Sequence, residues 1–256
     1  MLLAVDAGNS TIGFGLFEGE HLAVSFKAET RRATADEYWS FISSQMSRAG
    51  LDHGEVDGVV ISSVVPSLVP IFFEALRGLG AAAPLLVSAR LKLGLKMAYK
   101  TPESVGPDRL ANAVAALSIY GGASIVVDFG SATTFSVVDE KGAFVGGPIT
   151  PGLMTSYDAL TSKTAGIPRV GLTYPRNVIG SSTEEAIQSG IVFGHASMVE
   201  GLIARLKAEM GGKPTVVGTG GLAGFVEPHI KGSVDVFDPQ LTLKGLSIIH
   251  KLNNRP

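Results

Sequence analysis

Short apolar runs that stop at glycine-rich turns alternate with longer stretches of helical period along this chain, and the alternation occurs twice. Leu2 to Asp6, Thr11 to Phe17 and His21 to Lys27 carry the strand pattern and are joined by Gly-containing turns, which predicts an antiparallel meander. A helix is expected over Asp36 to Ala49, where Tyr38, Phe41, Ile42 and Met46 fall near helical spacing. Val56 to Ile61 reads as a buried strand, Leu68 to Leu79 as a helix and Leu85 to Val87 as a further short strand. Arg90 to Pro107 mixes Gly, Lys, Tyr and Pro and predicts a long loop, a kind of segment that in compact domains usually serves function.

After an Ala-rich helix, Leu110 to Tyr120, the pattern restarts. Ile125 to Asp128, Ala132 to Val138 and Ala143 to Gly147 predict a second three-strand meander. Helices are expected from about Leu153 to Leu160 and from Thr183 to Met210. The end alternates again, with strand Thr215 to Val217, a short helix near Leu222, strand Val234 to Phe237 and helix Gln240 to Leu252. The expected division is 1–121 and 122–256, near Gly121 and Gly122, with a C-terminal helix able to pack back across it.

Composition narrows the class. Apolar residues make up 45% and charged residues 17%, a globular rather than a disordered balance. With no cysteine, neither a disulfide framework nor a thiolate metal site can form. A net charge of -2 supplies no basic footprint for nucleic acid. The five histidines are scattered rather than set at metal spacing. No apolar run approaches the roughly 18 residues of a membrane span, and the first run ends at Asp6 without a basic segment before it. The expected compartment is the cytoplasm.

The most specific feature is internal. Val5-Asp6-Ala7-Gly8-Asn9-Ser10-Thr11 and Val127-Asp128-Phe129-Gly130-Ser131-Ala132-Thr133-Thr134 share one plan: apolar strand, Asp, spacer, Gly, small polar residues, second strand. Glycine lets such a turn aim backbone N–H groups at phosphate oxygens, and hydroxyls add donors without bulk. The Asp cannot bind phosphate directly, since both are anions, so it acts through a cation or its water. One such hairpin is ordinary turn chemistry; two copies imply a duplicated nucleotide fold. No Walker A run and no dinucleotide glycine spacing competes with it. Thr219-Gly220-Gly221-Leu222-Ala223 reads either as a plain strand-to-helix turn or as a platform for a nucleoside. Asp108 and Arg109 stand at the edge of an apolar helix, where Asp108 is either a helix cap or a general base beside a cationic clamp.

These residues resemble the type III pantothenate kinases, in the superfamily of sugar kinases, actin and heat-shock chaperones. The resemblance is carried by Asp6-Ala-Gly-Asn-Ser, Ile61-Ser-Ser-Val-Val-Pro66, Gly106-Pro-Asp-Arg109, Val127-Asp-Phe-Gly-Ser-Ala-Thr-Thr134, Gly146-Gly-Pro-Ile-Thr-Pro-Gly152, Gln188-Ser-Gly-Ile191, Thr219-Gly-Gly-Leu-Ala223 and Leu241-Thr-Leu-Lys-Gly245, and it runs nearly end to end. It implies an α/β fold of two duplicated actin-like (ribonuclease H-like) halves, each with a central mixed sheet, and an ATP cleft between them. It implies transfer from ATP, with Mg2+, to the 4′-hydroxyl of pantothenate, the first step toward coenzyme A.

By the same resemblance, Asp6, Ala7, Gly8, Asn9, Ser10, Thr11, Ile12 and Gly13 form the first phosphate turn, and Asp6 positions magnesium, through water. Ser131 lies where a Thr contacts ATP, and Asp128 matches a ligand of a monovalent cation, K+ or NH4+. Asp108 matches the proton acceptor. Tyr99 and Gly106, Pro107, Asp108 and Arg109 match pantothenate contacts, and Thr183 stands where a Thr from the partner subunit of a homodimer reaches the substrate. Pro107 replaces the usual Ala and removes a backbone N–H. The apolar positions of Thr183 to Met210 surround much of the helix, which suggests burial either against a second copy or between the halves of one chain. Two rivals stay open on sequence: a kinase for another small alcohol on the same fold, and a catalytically silent nucleotide-binding regulatory protein.

Overall fold

The computed structural model describes residues 1–80, 83–164, 166–230 and 232–254, which fall into two compact units: Met1–Ile119 with Gln240–Pro256, and Tyr120–Pro239. The first unit opens with β1 (Leu2–Ala7), β2 (Thr11–Glu18) and β3 (His21–Glu29), an antiparallel meander as expected. Helix α1 (Ala35–Arg48) follows. Thr34 and Glu37 cap it reciprocally: the Thr34 side chain accepts from the Glu37 N–H, and Glu37 accepts from the Thr34 N–H at 2.7 Å. Strand β4 (Gly58–Ser63) lies parallel to β1, then α2 (Val69–Ala75) leads to β5 (Leu85–Leu86), parallel to β4. The sheet order is β3-β2-β1-β4-β5.

Leu3, Val5 and Ala7 point to one face of that sheet and pack on α1 and α2. Phe14 is the hub, with ring centroids of Phe26, Phe41 and Phe72 at 5.1, 6.0 and 6.2 Å. The alternation of strand side chains sends Asp6 to the opposite face, at the C-terminal end of β1, where Asp6 can serve chemistry rather than packing. The stretch expected as one long loop holds β6 (Lys96–Met97) and a 3-10 turn, Pro102–Ser104, before α3 (Pro107–Tyr120). α3 begins three residues earlier than its apolar pattern suggests. Proline is well suited to the first helical position, because its fixed φ is helical and its missing N–H would have had no partner there.

The second unit repeats the plan with β7 (Ser124–Phe129), β8 (Ala132–Val138) and β9 (Ala143–Gly146) antiparallel in series. A short strand not foreseen from sequence, β10 (Ile149–Pro151), pairs with β8. Helices α4 (Leu153–Lys163) and α5 (Thr183–Met210) precede β11 (Thr215–Thr219), which runs parallel to β7. α6 (Ala223–Ile230) and β12 (Val236–Phe237) complete the order β12-β11-β7-β8-β9. Ile125, Val127 and Phe129 face α5 and α6 in the core, so Asp128 points the other way, as Asp6 does in the first unit.

The last helix, α7 (Leu241–Asn253), belongs to the first unit, where it packs on β1, β2 and β4. Its Thr242 hydroxyl donates to Asn112 of α3 at 2.8 Å.

The apolar surround of α5 is largely explained inside its own unit. Ile187, Val192, Val199 and Ile203 are buried, while Ile191, Met198, Leu202 and Leu206 pack half-buried against the same core. The outward stripe is Gly190, Gly194, Ser197, Gly201 and Ala204, all exposed. Within one chain α5 therefore shows one apolar arc, packed on its own unit, and one exposed face of small residues. Among the described residues no helix is long and apolar enough to cross a membrane.

Candidate active site

The first hairpin turn is held from within and from beside. Asp6 pairs with Gly13 and Ala7 with Ile12; the Gly8 N–H donates to the Thr11 carbonyl at 3.0 Å and closes the loop. Thr30, at the end of β3, donates its hydroxyl to the Gly8 carbonyl at 2.7 Å and its N–H to the Ser10 carbonyl at 3.0 Å. Ala7 and Ile12 send their side chains into the core, so only their backbone is available to a ligand. Asn9, Ser10 and Thr11 are exposed.

The second turn is one residue tighter. Asp128 pairs with Thr134 and Phe129 with Thr133, and the Gly130 N–H closes onto the Ala132 carbonyl at 3.1 Å. The Ser131 carbonyl accepts the Gly152 N–H at 3.0 Å and the Thr155 hydroxyl at 2.6 Å, and a Cβ on Gly152 would collide with the Gly130 and Ser131 carbonyls, which explains the glycine after β10. Behind the turn, His195 of α5 is buried, its Nε2 lies 3.1 Å from the Thr133 hydroxyl, and burial lowers its pKa, favouring the neutral ring.

The glycine segment after β11 joins this same turn. A Cβ on Gly220 would collide with the Asp128 Oδ1 and lie 2.5 Å from the Phe129 nitrogen, and Gly220 has φ +100°. Only glycine satisfies both demands. The Leu222 N–H donates to the Phe129 carbonyl at 3.0 Å. Asp128, Ser131 and the platform are thus one constellation. Thr183 is not part of it. It is the exposed first residue of α5, about 18 Å along the helix axis from His195 at 1.5 Å per residue.

The third group lies at the start of α3. The turn before it is fixed by Ser104, whose N–H and hydroxyl donate to the Thr101 carbonyl at 2.9 and 2.7 Å. The Gly106 carbonyl accepts the first helical bond from the Leu110 N–H at 3.1 Å, so Asp108 sits in the first turn of the helix rather than capping it. Its Oδ1 accepts the Arg109 N–H at 2.9 Å and lies where a Cβ on Gly106 would have to be. Burial raises the Asp108 pKa above the usual carboxylate value; the Arg109 N–H and the Arg109 charge oppose this without overcoming it. Arg109 is itself only 5% exposed. Burial lowers its pKa, while the neighbouring Tyr99 side chain, by electrostatics and a hydrogen bond, and the Asp108 carboxylate favour the charged guanidinium. Tyr99, Asp108 and Arg109 are therefore one electrostatic cluster. Thr155 and His195 carried no motif signal, and Thr133 lay inside the second hairpin motif without a role of its own.

A family model for type III pantothenate kinases matches residues 2–205. A type III pantothenate kinase of Moorella thermoacetica is 44% identical over 254 residues, covering 99% of this chain and 100% of its own length. One from Dehalococcoides mccartyi is 43% identical over 255 residues, covering 98% of each. Among solved structures, component A of the (R)-2-hydroxyglutaryl-CoA dehydratase of Acidaminococcus fermentans superposes with a TM-score of 0.56 at 14% identity, covering 96% of this chain and 94% of its own. The ethanolamine utilization protein EutJ of Carboxydothermus hydrogenoformans gives 0.57 at 15%, covering 96% and 89%. At those identities the structures speak to the fold alone, the duplicated actin-like α/β architecture described above. The near full-length identity places the chain itself among the type III pantothenate kinases.

Proposed function

We propose that this protein transfers the γ-phosphoryl group of ATP to the 4′-hydroxyl of pantothenate in the cytoplasm, with Asp108 as the proton acceptor. The observation that carries the reading is the environment of Asp108: a half-buried carboxylate at a helix start, with a raised pKa and a buried guanidinium beside it. A base whose pKa lies closer to the working pH accepts a proton more effectively. As the hydroxyl oxygen bonds to the γ-phosphorus and the bond to the bridging oxygen of ADP breaks, the hydroxyl proton passes to Asp108. Tyr99 holds Arg109, which pairs with an anionic group, either the pantothenate carboxylate or the phosphoryl in transfer. Pro107 donates nothing to substrate, and at the first helical position it costs the helix nothing either.

The residues from Asp6 to Gly13 receive ATP, with Asn9, Ser10 and Thr11 supplying donors because the Gly8 N–H is already used. Ser131 contacts the nucleotide from the second turn. Among the described residues no three carboxylates or histidines gather at one place, which fits magnesium held by one carboxylate, water and the substrate's own phosphates. Asp6 is the carboxylate that would hold it. Asp128 fits a monovalent cation, K+ or NH4+, because Gly220 leaves its carboxylate room that a Cβ would fill. When bound, these ions neutralise phosphate charge near the reacting bond. A homodimer completes the reading, with Thr183 reaching the partner's substrate. The exposed small-residue stripe of α5 supports it, since small side chains let helices approach closely.

A coupled ADP-release assay across a panel of small alcohols tests the reading. Pantothenate-dependent release, with sugars and simple alcohols near background, is the expected result. Release with a sugar instead would identify a different kinase on this fold, and no release with any acceptor would favour a silent regulatory protein.

A further inference from the structure

Each of the two carboxylates behind the hairpin turns has a hydroxyl residue as its register partner on the neighbouring parallel strand. Asp6 pairs with Ser62 across β1 and β4, and Asp128 pairs with Thr219 across β7 and β11. Paired residues of a parallel ladder face the same side of the sheet, with strands about 4.8 Å apart. Both hydroxyls are out of solvent: Ser62 is 0% exposed and Thr219 is 1% exposed. Neither Ser62 Oγ nor Thr219 Oγ1 has a hydrogen-bond partner among the described residues.

A buried hydroxyl without a partner is unusual, because the group gives up its hydrogen bonds to water and gains none in return. Among the described residues Ser124 and Ser136 are also buried hydroxyls without a partner. What sets Ser62 and Thr219 apart is their place: each is the register partner of a hairpin carboxylate, at corresponding positions of the two units. The two rows have in common a carboxylate and a hydroxyl on neighbouring strands at a strand end. On the second row Thr134 flanks Asp128 from the other strand, β8, so the carboxylate sits between two threonines.

We infer that the Thr219 hydroxyl is a ligand of the monovalent cation held by Asp128, supplying an uncharged oxygen beside the charged one. The inference rests on the cation reading of Asp128 given above. Weakly hydrated monovalent cations are bound by several neutral oxygens replacing their water shell, which a lone carboxylate does not provide. Thr219 lies one residue before the glycine whose missing Cβ makes room for that carboxylate. The strand end and the glycine turn thus contribute to one site, oxygen from the first and space from the second.

The test follows the melting temperature of the whole protein with a non-hydrolysable ATP analogue while KCl replaces tetramethylammonium chloride at constant ionic strength. A ligand that binds the folded state raises the melting temperature with its concentration, so the midpoint reports cation affinity without reference to turnover. In the parent the melting temperature is expected to rise with potassium. Thr219→Val keeps the shape and removes the oxygen, and is expected to move the midpoint to about tenfold higher potassium. Thr219→Ser is expected to stay within about threefold of the parent. Thr219→Ala, which cannot overpack the site, is expected to follow valine and serves if the valine chain does not fold. A parental midpoint in the valine and alanine chains, with Asp128→Asn unresponsive, would overturn the role of Thr219 and leave the Asp128 reading standing. A serine chain as impaired as valine would overturn it too, since the oxygen would not be what matters. A parental response in Asp128→Asn, or no response in the parent, would bring down the cation reading itself.

Discussion

The Asp108 carboxylate folds back over Gly106, so that its Oδ1 occupies the space a side chain at position 106 would need. The glycine of Gly-Pro-Asp-Arg therefore has a definite task, which is to leave the proton acceptor its position. Gly106→Ala forces the carboxylate aside, and a misplacement of about 1 Å at a reacting group costs on the order of a hundredfold in rate. The expected result is a fall in kcat of about that size with ATP affinity unchanged by calorimetry. Activity within twofold of the parent would show that the carboxylate position is not critical.

Asp108→Asn is expected to lower turnover by on the order of 10²–10⁴, the usual worth of a positioned base, while ATP binding persists. Its effect on stability has a definite sign. Burial raises the folded pKa of Asp108, so its contribution to stability is full below the ordinary aspartate value and is lost as pH rises through the raised one. At neutral pH the ionised, half-buried carboxylate opposes folding, and asparagine removes that opposition. The variant should melt at or above the parent temperature at pH 7, with the gap reversing or closing below about pH 4. A clearly lower melting temperature at pH 7 would contradict the assigned burial.

The same shift sets the acid limb of the rate profile. kcat/KM should fall as pH drops through a value above that of an ordinary aspartate, because only the ionised form accepts the proton. The limb should vanish from the residual activity of Asp108→Asn.

Asp128→Ala should remove both the need for potassium or ammonium and most of the activity. A carboxylate next to a phosphate-binding turn repels the nucleotide unless positive charge stands beside it. Full parental activity in buffers free of both ions would contradict the cation site.

The second copy of the chain is tested by light scattering at low micromolar protein, which should give about twice the 26.5 kDa chain mass. Mixing a Thr183→Ala chain with an Asp108→Asn chain should restore part of the activity, since one hybrid site carries neither lesion. A fully active monomer would refute the shared site.

The duplicated plan was legible because it is local: Asp6 and Asp128 each end an apolar run, and each is followed by glycine within two residues. Strand alternation alone then fixes that both carboxylates leave the core. The length difference between the turns was not legible, because it depends on which residues pair, and Asp128 with Thr134 is one step shorter than Asp6 with Gly13. The return of the C-terminal helix across the division, expected from sequence, is seen in α7, which packs on β1 and β4 of the first unit; the strands it meets are set by long-range packing that periodicity cannot report. β10 is three residues long and ends in proline, too short to show alternation. The wide apolar spread of α5 comes in part from half-buried Ile191, Met198, Leu202 and Leu206, which broaden the arc packed on the core of its own unit, a distinction between buried and half-buried positions that periodicity does not make. His195 reads as an isolated histidine until the fold brings Thr133 to it from 62 residues away.

The most direct measurement is mass-spectrometric detection of the product after incubation with ATP, Mg2+, K+ and pantothenate, with the Asp108→Asn chain run beside it. The expected result is 4′-phosphopantothenate formed one-for-one with ADP by the parent and reduced by at least a hundredfold in the variant. ADP formed without phosphopantothenate, or equal product from both chains, would contradict transfer to pantothenate through Asp108.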